Sequence, residues 1–255
     1  FPIFKPEGAK YVVTLHDVIF MDESLHPTQM VQKLGKIYRR WVLENGWKKI
    51  DRLTSVSMDA FKSILHVFPC KTEKLADSVI YPMFIPCRPD ARILKAYGLK
   101  ENGFFYTLTG SAPSKNADML IKAFNLFSVK NGAKESLVVS GVAKEVDRRV
   151  LLKYAESPEI RKRIIFTDYV DEAAKYALMK SAKAFIFPSL SEGFGIPLIE
   201  ALCYSRRVLA SNIGIFREVG GKGCEYFDPR DPADLVRKLS LNAKSRSPNI
   251  TRRYV

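Results

Sequence analysis

Long apolar runs are missing from this sequence of 255 residues. A helix that crosses a membrane needs about 18 or more consecutive apolar residues, and no stretch here meets that requirement. We therefore expect no transmembrane helix, and no signal peptide is visible near the amino terminus. The sequence begins at Phe1 rather than Met, so we expect its natural start to lie upstream.

Cysteine and histidine are scarce, with 4 and 3 residues respectively. The histidines are dispersed, and the cysteines form no Cys-x-x-Cys pair and match no zinc-binding spacing. We therefore expect no metal site. Scattered thiols in a chain of this size favour a reducing compartment, so we expect a cytoplasmic protein. The cysteines are Cys70, Cys87, Cys203 and Cys224.

Acidic residues are outnumbered, since 41 lysines and arginines against 27 aspartates and glutamates give a formal net charge of +14. Such an excess fits nucleic acid, an anionic membrane face or anionic small substrates as partners. The sequence has no zinc finger, no RNP-type motif and no arginine-rich arm, so we do not expect nucleic acid as a partner. The other two kinds of partner stay open.

A predicted helix over residues 28–50 brings basic and aromatic side chains together, among them Tyr38, Arg39, Trp41 and Trp47. A basic amphipathic helix with tryptophans can lie on an anionic membrane, which for a cytoplasmic protein means peripheral contact with the inner face. The alternative, which we favour, is a helix that covers a sheet, with buried tryptophans and solvated charges.

Strands and helices alternate about six times from residue 103 onward, which predicts a parallel sheet with helices on both faces. Residues 1–85 contain only two or three strands, too few for a complete second domain of this kind. Ile85–Asp90 is proline-broken and polar, which is typical of a linker. We therefore divide this α/β chain into two domains, residues 1–90 and 91–255.

Apolar runs place a buried strand at Tyr11–Leu15 and a further strand at Ser78–Pro82. His16 and Asp17 follow the first of these strands, and ligands of open α/β sheets bind beyond the carboxyl ends of strands. An isolated His-Asp pair more often caps a turn at the surface, so these residues alone do not assign a role to His16.

The most informative junction lies in the second domain. The aromatic strand Ala184–Pro188 leads into a loop in which Gly193 and Gly195 flank Phe194, and a helix follows. Pro197 is expected at the first helical position, where proline is best tolerated. Such a helix start presents free N–H groups and about half a positive charge, which suits a phosphate. A tight structural connection is the alternative.

Two carboxylates bracket this loop, Glu192 before it and Glu200 in the helix. A carboxylate beside a phosphate repels the anion, so each must bind something else. Sugar hydroxyls fit, because an ionised carboxylate accepts their hydrogen bonds without a metal. The pattern therefore predicts a nucleotide-sugar, with its diphosphate on the glycines and one sugar ring at each carboxylate.

The segment Ser191-Glu-Gly-Phe-Gly-Ile-Pro-Leu-Ile-Glu-Ala201 resembles the signature of the retaining glycosyltransferases of family 4. This resemblance implies the GT-B fold, which has two facing Rossmann-like domains with parallel sheets. It also implies that the first several β/α units of the amino-terminal domain are absent, so that this domain is incomplete. The sequence is then either a fragment or a naturally truncated protein.

The resemblance also extends the expected donor site. Gly110 and Ser111 follow the first strand of the second domain, and Lys115 matches the lysine of the family's Arg-Lys-Asn pattern, so it is expected to contact the diphosphate. Tyr169 is expected beside the nucleotide base, with a packing role as the alternative. The N–H groups from Gly193 to Ile196 complete the expected phosphate site.

Further roles follow from the same comparison. A family histidine in the position of His16 faces the transferred sugar, so His16 and Glu192 are the expected catalytic residues, whereas Glu200 is expected to hold the ribose. The sequence departs from the family pattern at Ser111 and Ser114, where arginine is usual. One phosphate-binding cation is therefore missing from the pattern or supplied from elsewhere.

The favoured function is transfer of a hexose from a nucleoside-diphosphate-sugar to an acceptor hydroxyl, with retention at the anomeric carbon and without a metal or other cofactor. Surface polysaccharide or glycolipid biosynthesis is the expected setting. The acceptor is not identified, although the basic charge fits a lipid-linked or anionic glycan. The alternatives are a sugar-nucleotide-binding protein without transferase activity and a GT-B enzyme of other chemistry, such as an epimerase.

Overall fold

The computed structural model describes residues 6–22, 30–68 and 75–241. Contacts between Cα atoms divide the chain into two compact units. The first unit extends to Pro82 and also includes the loop Ser191–Gly195, whereas the second comprises Met83–Leu190 and the chain from Ile196 onward. None of the helices in the described ranges is both long enough and apolar enough to cross a membrane.

The first unit contains a parallel sheet with the strand order β1-β2-β3. Helix α1 connects β1 to β2, and α2 connects β2 to β3, so each connection is a β/α/β crossover. The sequence-based prediction of two or three strands is confirmed. The elements are β1 (Val12–Leu15), α1 (Met30–Gly46), β2 (Arg52–Ser55), α2 (Met58–Val67) and β3 (Leu75–Val79).

Two assignments in this unit need correction. The strand β1 was expected to be buried, but Val12 is 68% exposed because β1 is the edge strand of the described sheet. The strand predicted at Ser78–Pro82 lies instead at Leu75–Val79, where pairing with β2 fixes its position, with Leu75 beside Leu53. Pairing with the neighbouring strand therefore determines where this strand begins and ends, and an apolar run in the sequence does not determine these bounds.

The predicted helix over residues 28–50 is confirmed as α1, followed by a short 3₁₀ turn at Trp47–Lys49. Its tryptophans differ in environment. Trp47 is buried and stacks on Phe68 with ring centroids 5.1 Å apart, whereas Trp41 is 58% exposed. The expectation that both tryptophans are buried is therefore right for Trp47 and wrong for Trp41.

The second unit contains a six-stranded parallel sheet with the order β6-β5-β4-β7-β8-β9, so the prediction of a parallel sheet is confirmed. Its strands are β4 (Phe104–Leu108), β5 (Ser136–Ser140), β6 (Ile164–Phe166), β7 (Ala184–Phe187), β8 (Val208–Ser211) and β9 (Glu225–Phe227). Its helices are α3 (Arg92–Ala96), α4 (Ala117–Asn131), α5 (Glu145–Leu152), α6 (Pro158–Lys162), α7 (Glu172–Ser181), α8 (Ile196–Tyr204), α9 (Gly214–Gly220) and α10 (Pro232–Ser240).

Local sequence determines where several helices begin. Ser57 caps α2, since its side chain accepts a hydrogen bond of 3.0 Å from the Ala60 N–H. Asp231 caps α10 in the same way by accepting 2.9 Å from Ala233, and Pro232 is the first helical residue. Both caps are predictable from sequence, because hydroxyl and carboxylate oxygens satisfy N–H groups that the helix itself leaves unpaired.

Candidate functional site

The sheet of the second unit reverses its chain order between β4 and β7. From β4 the chain builds outward through β5 to β6, and it then returns to the other side of β4 to form β7, β8 and β9. Ligands of open α/β sheets bind beyond the carboxyl ends of the strands at such a reversal. The loops that follow β4 and β7 are two of the segments that the sequence predicts to bind the donor.

Hydrogen bonds join these two loops. The Leu190 N–H donates to the carbonyl of Ser114 at 2.8 Å. Asn116 is buried, and its side-chain amide donates to the carbonyls of Pro188 at 3.0 Å and Pro229 at 2.8 Å. Asn116 thereby holds the β4 loop against the segment that follows β7. This role for Asn116 was not predicted, because its partners lie 72 and 113 positions away in sequence.

The residues of the β4 loop that are predicted to bind phosphate are accessible to solvent. Ser111 is exposed, and Lys115 is partly exposed at the end of a 3₁₀ turn over Pro113–Lys115. A Cβ atom added to Gly110 would meet no described atom within 4 Å. This part of the loop therefore has room beside it for a ligand.

The start of α8 follows directly from the glycine loop. The helix begins at Ile196, so Pro197 occupies its second position rather than the expected first, a shift of one residue that still spares the helical hydrogen bonds. Gly195 has φ +83°, a backbone conformation that L side chains rarely adopt. The N–H groups of the first helical turn have no partners within the helix, so they are suited to an anion.

Glu200 is buried inside the second unit, and the protein binds one of its two carboxylate oxygens. The residue is only 3% exposed. Its Oε1 accepts a hydrogen bond of 2.7 Å from Lys175 Nζ and lies 3.1 Å from the Tyr176 hydroxyl. Its Oε2 is buried and has no hydrogen-bond partner among the described residues. One carboxylate oxygen of Glu200 is thus fixed by the protein, and the other has capacity to accept hydrogen bonds.

A second carboxylate shares the same partners. Glu172 Oε1 and Oε2 accept hydrogen bonds of 2.9 and 2.8 Å from Lys175 Nζ, and Glu172 Oε2 lies 2.7 Å from the Tyr176 hydroxyl. The ammonium group of Lys175 lowers the pKa of Glu172 from its ordinary value. Burial, reinforced by Glu172 and Glu200, raises the pKa of Tyr176, so the phenol stays a neutral hydrogen-bond donor.

The expected base site follows β6. Tyr169 is 83% exposed, so the packing role left open by the sequence does not apply. Asp168 replaces the family's glycine and has φ +54°, which explains why glycine suits that position. The Asp168 carboxylate forms an ion pair with Arg148, a contact that was not predicted.

The glycine loop Ser191–Gly195 packs within the first unit. A Cβ atom at Gly193 would lie 2.4 Å from the backbone oxygen of His16, so only glycine fits there. The Gly193 carbonyl accepts a hydrogen bond of 2.8 Å from the hydroxyl of Ser57, the same residue that caps α2. The structure therefore brings the predicted residues His16 and Gly193 into contact through the backbone, while the His16 side chain is exposed.

Glu192 lines an open cavity of about 560 Å³ in this unit. Among the described residues that line the cavity, four are carboxylates and two are basic. The Phe194 side chain is buried beside Tyr81, with ring centroids 6.0 Å apart, which anchors the loop that carries Glu192. The ionisable lining residues are Asp17, Asp22, Asp59, Glu192, Lys62 and His66.

Among the residues that the structure describes, metal-ligating side chains do not gather at either place. Within the described ranges, no three histidine, cysteine, aspartate or glutamate side chains are placed to hold an ion. Hydroxyl and anion binding by the residues above needs no metal, so their chemistry suits a ligand with sugar rings and phosphates. Metal independence itself remains a prediction.

Comparison with known proteins identifies the family. Residues 91–252, which are more than half of the chain, match the model described as glycosyl transferases group 1. The chain belongs to this family. The resemblance seen at the glycine loop is therefore confirmed, and the matched residues include the whole described sheet of the second unit.

Curated relatives agree with this assignment. The O-antigen chain mannosyltransferase B of Escherichia coli is 29% identical over 228 residues, covering 86% of this chain and 58% of that protein. The O-antigen chain mannosyltransferase RfbU of Salmonella typhimurium is 29% identical over 220 residues, covering 86% and 57% respectively. The chain thus spans little more than half the length of these relatives.

Solved structures share the fold. A sucrose-phosphate synthase from Thermosynechococcus elongatus matches with a TM-score of 0.69 at 17% identity, covering 90% of this chain and 57% of that structure. TarM matches with a TM-score of 0.65 at 16% identity, covering 91% and 43%. The predicted α/β fold of the GT-B class, with parallel sheets and an incomplete first domain, is confirmed.

Replacement of Gly193 by alanine tests the close packing of the glycine loop. The added methyl group would overlap the His16 backbone, so we expect Gly193→Ala to lower the free energy of unfolding by about 1–3 kcal/mol. Gly110→Ala is the matched control, since its methyl group enters open space. Urea denaturation measures both variants, and equal midpoints would contradict the packing described here.

Proposed function

We propose that this chain is part of a retaining hexosyltransferase that moves a sugar from a nucleoside-diphosphate-sugar to an acceptor hydroxyl during surface polysaccharide biosynthesis. Family membership and the names of the O-antigen mannosyltransferase relatives support this function, and those names favour mannose as the sugar. The observation that carries the proposal is the β4–β7 reversal, followed by helix α8, whose start suits an anion and whose buried Glu200 has one carboxylate oxygen without a partner among the described residues.

The donor's diphosphate binds at the start of α8 in this proposal. The N–H groups that lead into the helix at Ile196, the positive end of its dipole and the ammonium group of Lys115 all attract negative charge. That charge grows on the diphosphate as its bond to the sugar breaks. Groups fixed in place beforehand stabilise such a transition state at little cost in reorganisation. Gly110 and Ser111 leave space for the phosphates.

The nucleoside then extends over the second unit. Oε2 of Glu200 accepts hydrogen bonds from the ribose hydroxyls, which satisfies the one oxygen of this carboxylate that the described residues leave without a partner. The exposed ring of Tyr169 lies against the base. Both placements agree with the rule that ligands bind at the carboxyl edge of the sheet.

Glu192 and His16 act on the sugar. The Glu192 carboxylate binds and positions sugar hydroxyls, and His16 donates a hydrogen bond to the sugar or to the leaving oxygen. No protein nucleophile takes part in this scheme. The acceptor attacks on the face from which the phosphate leaves, and the departing phosphate assists the removal of its proton, so the anomeric configuration is retained without a metal.

The acceptor is best assigned to the open cavity beside Glu192. Carboxylates accept hydrogen bonds from sugar hydroxyls and repel anions, and four of them lie in its lining. Lys62 is the only lysine or arginine among the described lining residues. We therefore propose a neutral, hydroxyl-rich glycan at this cavity. The net charge of +14 describes the whole chain and does not determine which charges line the cavity.

Helix α1 suits contact with an anionic membrane, as expected for a lipid-linked acceptor. Its exposed apolar side chains fall at helical spacing along one face, and basic residues flank them. One of these, Arg40, is exposed and pairs with Glu44 on the same helix. The exposed apolar residues are Met30, Leu34, Ile37, Tyr38 and Trp41.

A transfer assay tests the proposed activity. Labelled GDP-mannose and UDP-mannose are offered to the protein with neutral mannose oligosaccharides and with oligosaccharides that contain uronic acids. We expect transfer to the neutral acceptors with the anomeric configuration of the donor preserved. Nucleotide binding without transfer to any acceptor would favour the alternative of a binding protein, and an inverted product would exclude the retaining mechanism.

Glu192→Ala should lower turnover in this assay by about a hundredfold or more, by analogy with the removal of other groups that stabilise a transition state. Glu145→Ala is the matched control, because Glu145 is an exposed glutamate that pairs only with Arg149 on its own helix in the described contacts. A Glu192→Ala protein with near-normal turnover would remove this residue from the mechanism.

Replacement of Leu34 and Trp41 by serine tests the membrane proposal. We expect this double variant to lose at least about tenfold in binding to phosphatidylglycerol vesicles, because it loses exposed apolar contact area. The double variant Leu126→Ser and Val129→Ser, which removes exposed apolar side chains from α4, should bind normally. Equal vesicle binding by both double variants, measured by sedimentation, would refute the assignment of α1.

A further inference from the structure

A lysine is buried among the groups that surround Glu200. Lys175 is 7% exposed, and its ammonium group contacts two carboxylates, Glu200 at 2.7 Å and Glu172 at 2.8 Å. The side chain of Glu172 is largely exposed, whereas that of Glu200 is buried. An ammonium group in this position is stable only if it is paired, so Lys175 and Glu200 depend on each other.

The hydrogen bonds of Glu200 are unequal between its two oxygens. Lys175 and Tyr176 both approach Oε1, whereas Oε2 is buried with no partner in the described part of the chain. A buried carboxylate oxygen without a hydrogen bond is unfavourable, and a ligand that supplies hydroxyl donors would relieve this. The arrangement fixes which oxygen is left for a ligand.

The neighbours of Lys175 keep the arrangement rigid. The ring of Tyr176 stacks on that of Tyr204 with centroids 4.2 Å apart, and the Tyr204 hydroxyl donates 2.9 Å to the carbonyl of Cys87. Tyr176 lies on α7 and Tyr204 on α8, so the stack joins the two helices that carry Lys175 and Glu200. The side chain of Glu200 therefore has little freedom to rotate, so Oε1 stays on Lys175 and Oε2 stays the oxygen that is left for a ligand.

Lys175 also affects the charge near the proposed diphosphate. Glu200 lies in the second turn of α8, and an unpaired carboxylate there would repel an anion at the start of the helix. The ammonium group offsets this charge while it leaves the carboxylate able to accept hydrogen bonds. One lysine thus serves both the geometry and the electrostatics of the same site.

We infer that Lys175 is the positioning residue of the donor site: by binding Oε1 of Glu200 it directs Oε2 to the ribose hydroxyls of a nucleoside diphosphate. The inference rests on the proposed function, because it requires that Glu200 binds the ribose. Sequence inspection did not single out Lys175, since its partner lies 25 positions further along the chain.

Lys175→Met removes the charge and keeps most of the side-chain volume. Calorimetry compares GDP with its 2′,3′-dideoxy analogue, and UDP with its own analogue. We expect the wild-type protein to bind one ribonucleotide at least about tenfold more tightly than the dideoxy form, as befits hydrogen bonds to a charged group. In Lys175→Met this ratio should fall below about threefold, and in Lys175→Arg it should recover at least partly.

The matched control is Lys122→Met, which removes a lysine that pairs with Asp118 on an exposed face of α4 and should keep the wild-type ratio. Lys175→Gln keeps an N–H donor and should give an intermediate ratio, so it provides the test if the methionine variant does not fold. A merely structural lysine would lower the melting temperature without changing the ratio, and that result would overturn the inference.

The two levels of the proposal fail differently. In one outcome, the wild-type protein binds ribonucleotides more tightly than the dideoxy forms, and the folded Lys175 variants show the same ratio. That result contradicts only the role of Lys175. In the other outcome, the wild-type protein binds neither nucleotide or binds the ribo and dideoxy forms equally. That result contradicts the proposed ribose site at Glu200, and the inference about Lys175 with it.

Discussion

The parallel pairing of β4 with β7 is the constraint on which the proposed donor site depends. Because these strands are neighbours and run in the same direction, the loops that follow them leave the sheet at the same edge. The hydrogen bond from Leu190 to Ser114 and the amide of Asn116 then hold the loops together. Residues that are far apart in sequence, such as Lys115 and Glu200, are thereby placed on elements that leave one edge of one sheet.

Much of this was accessible from sequence because local rules govern it. Alternating apolar segments predict the parallel sheet, and residues such as Asp231 and Pro232 mark the start of a helix, here α10, since capping depends on adjacent residues. The glycine loop was also predictable as a feature, because few residues tolerate the backbone of Gly195 or the space at Gly193. These signals depend on residues that are close in the chain.

The remaining features depend on contacts between distant residues. The bounds of β3 follow from pairing with β2, and the burial of Glu200 follows from the packing of α7 against α8. The Lys175–Glu200 pair has no sequence signature, since a lysine in a helix is usually solvated. The roles of His16, Glu192, Lys115 and Tyr169 stay predictions, because each is defined by a contact with the substrate and not by a contact within the protein.

Local and overall charge lead to different views of the substrate. The chain is strongly basic, yet four of the six ionisable residues in the described lining of the cavity beside Glu192 are carboxylates, and Lys175 is paired with the carboxylates of Glu172 and Glu200. Binding depends on the groups within a few ångströms of the ligand, since charges at longer range are screened by salt. Total charge is therefore informative about surfaces such as the exposed face of α1 and less so about a site.

The most direct measurement is a crystal structure of the protein with a bound nucleoside diphosphate. The account predicts the diphosphate at the first N–H groups of α8 and a ribose hydroxyl within hydrogen-bond distance of Glu200 Oε2, with Lys175 still on Oε1. A nucleotide bound away from the carboxyl ends of β4 and β7, or a ribose that does not contact Glu200, would contradict the account.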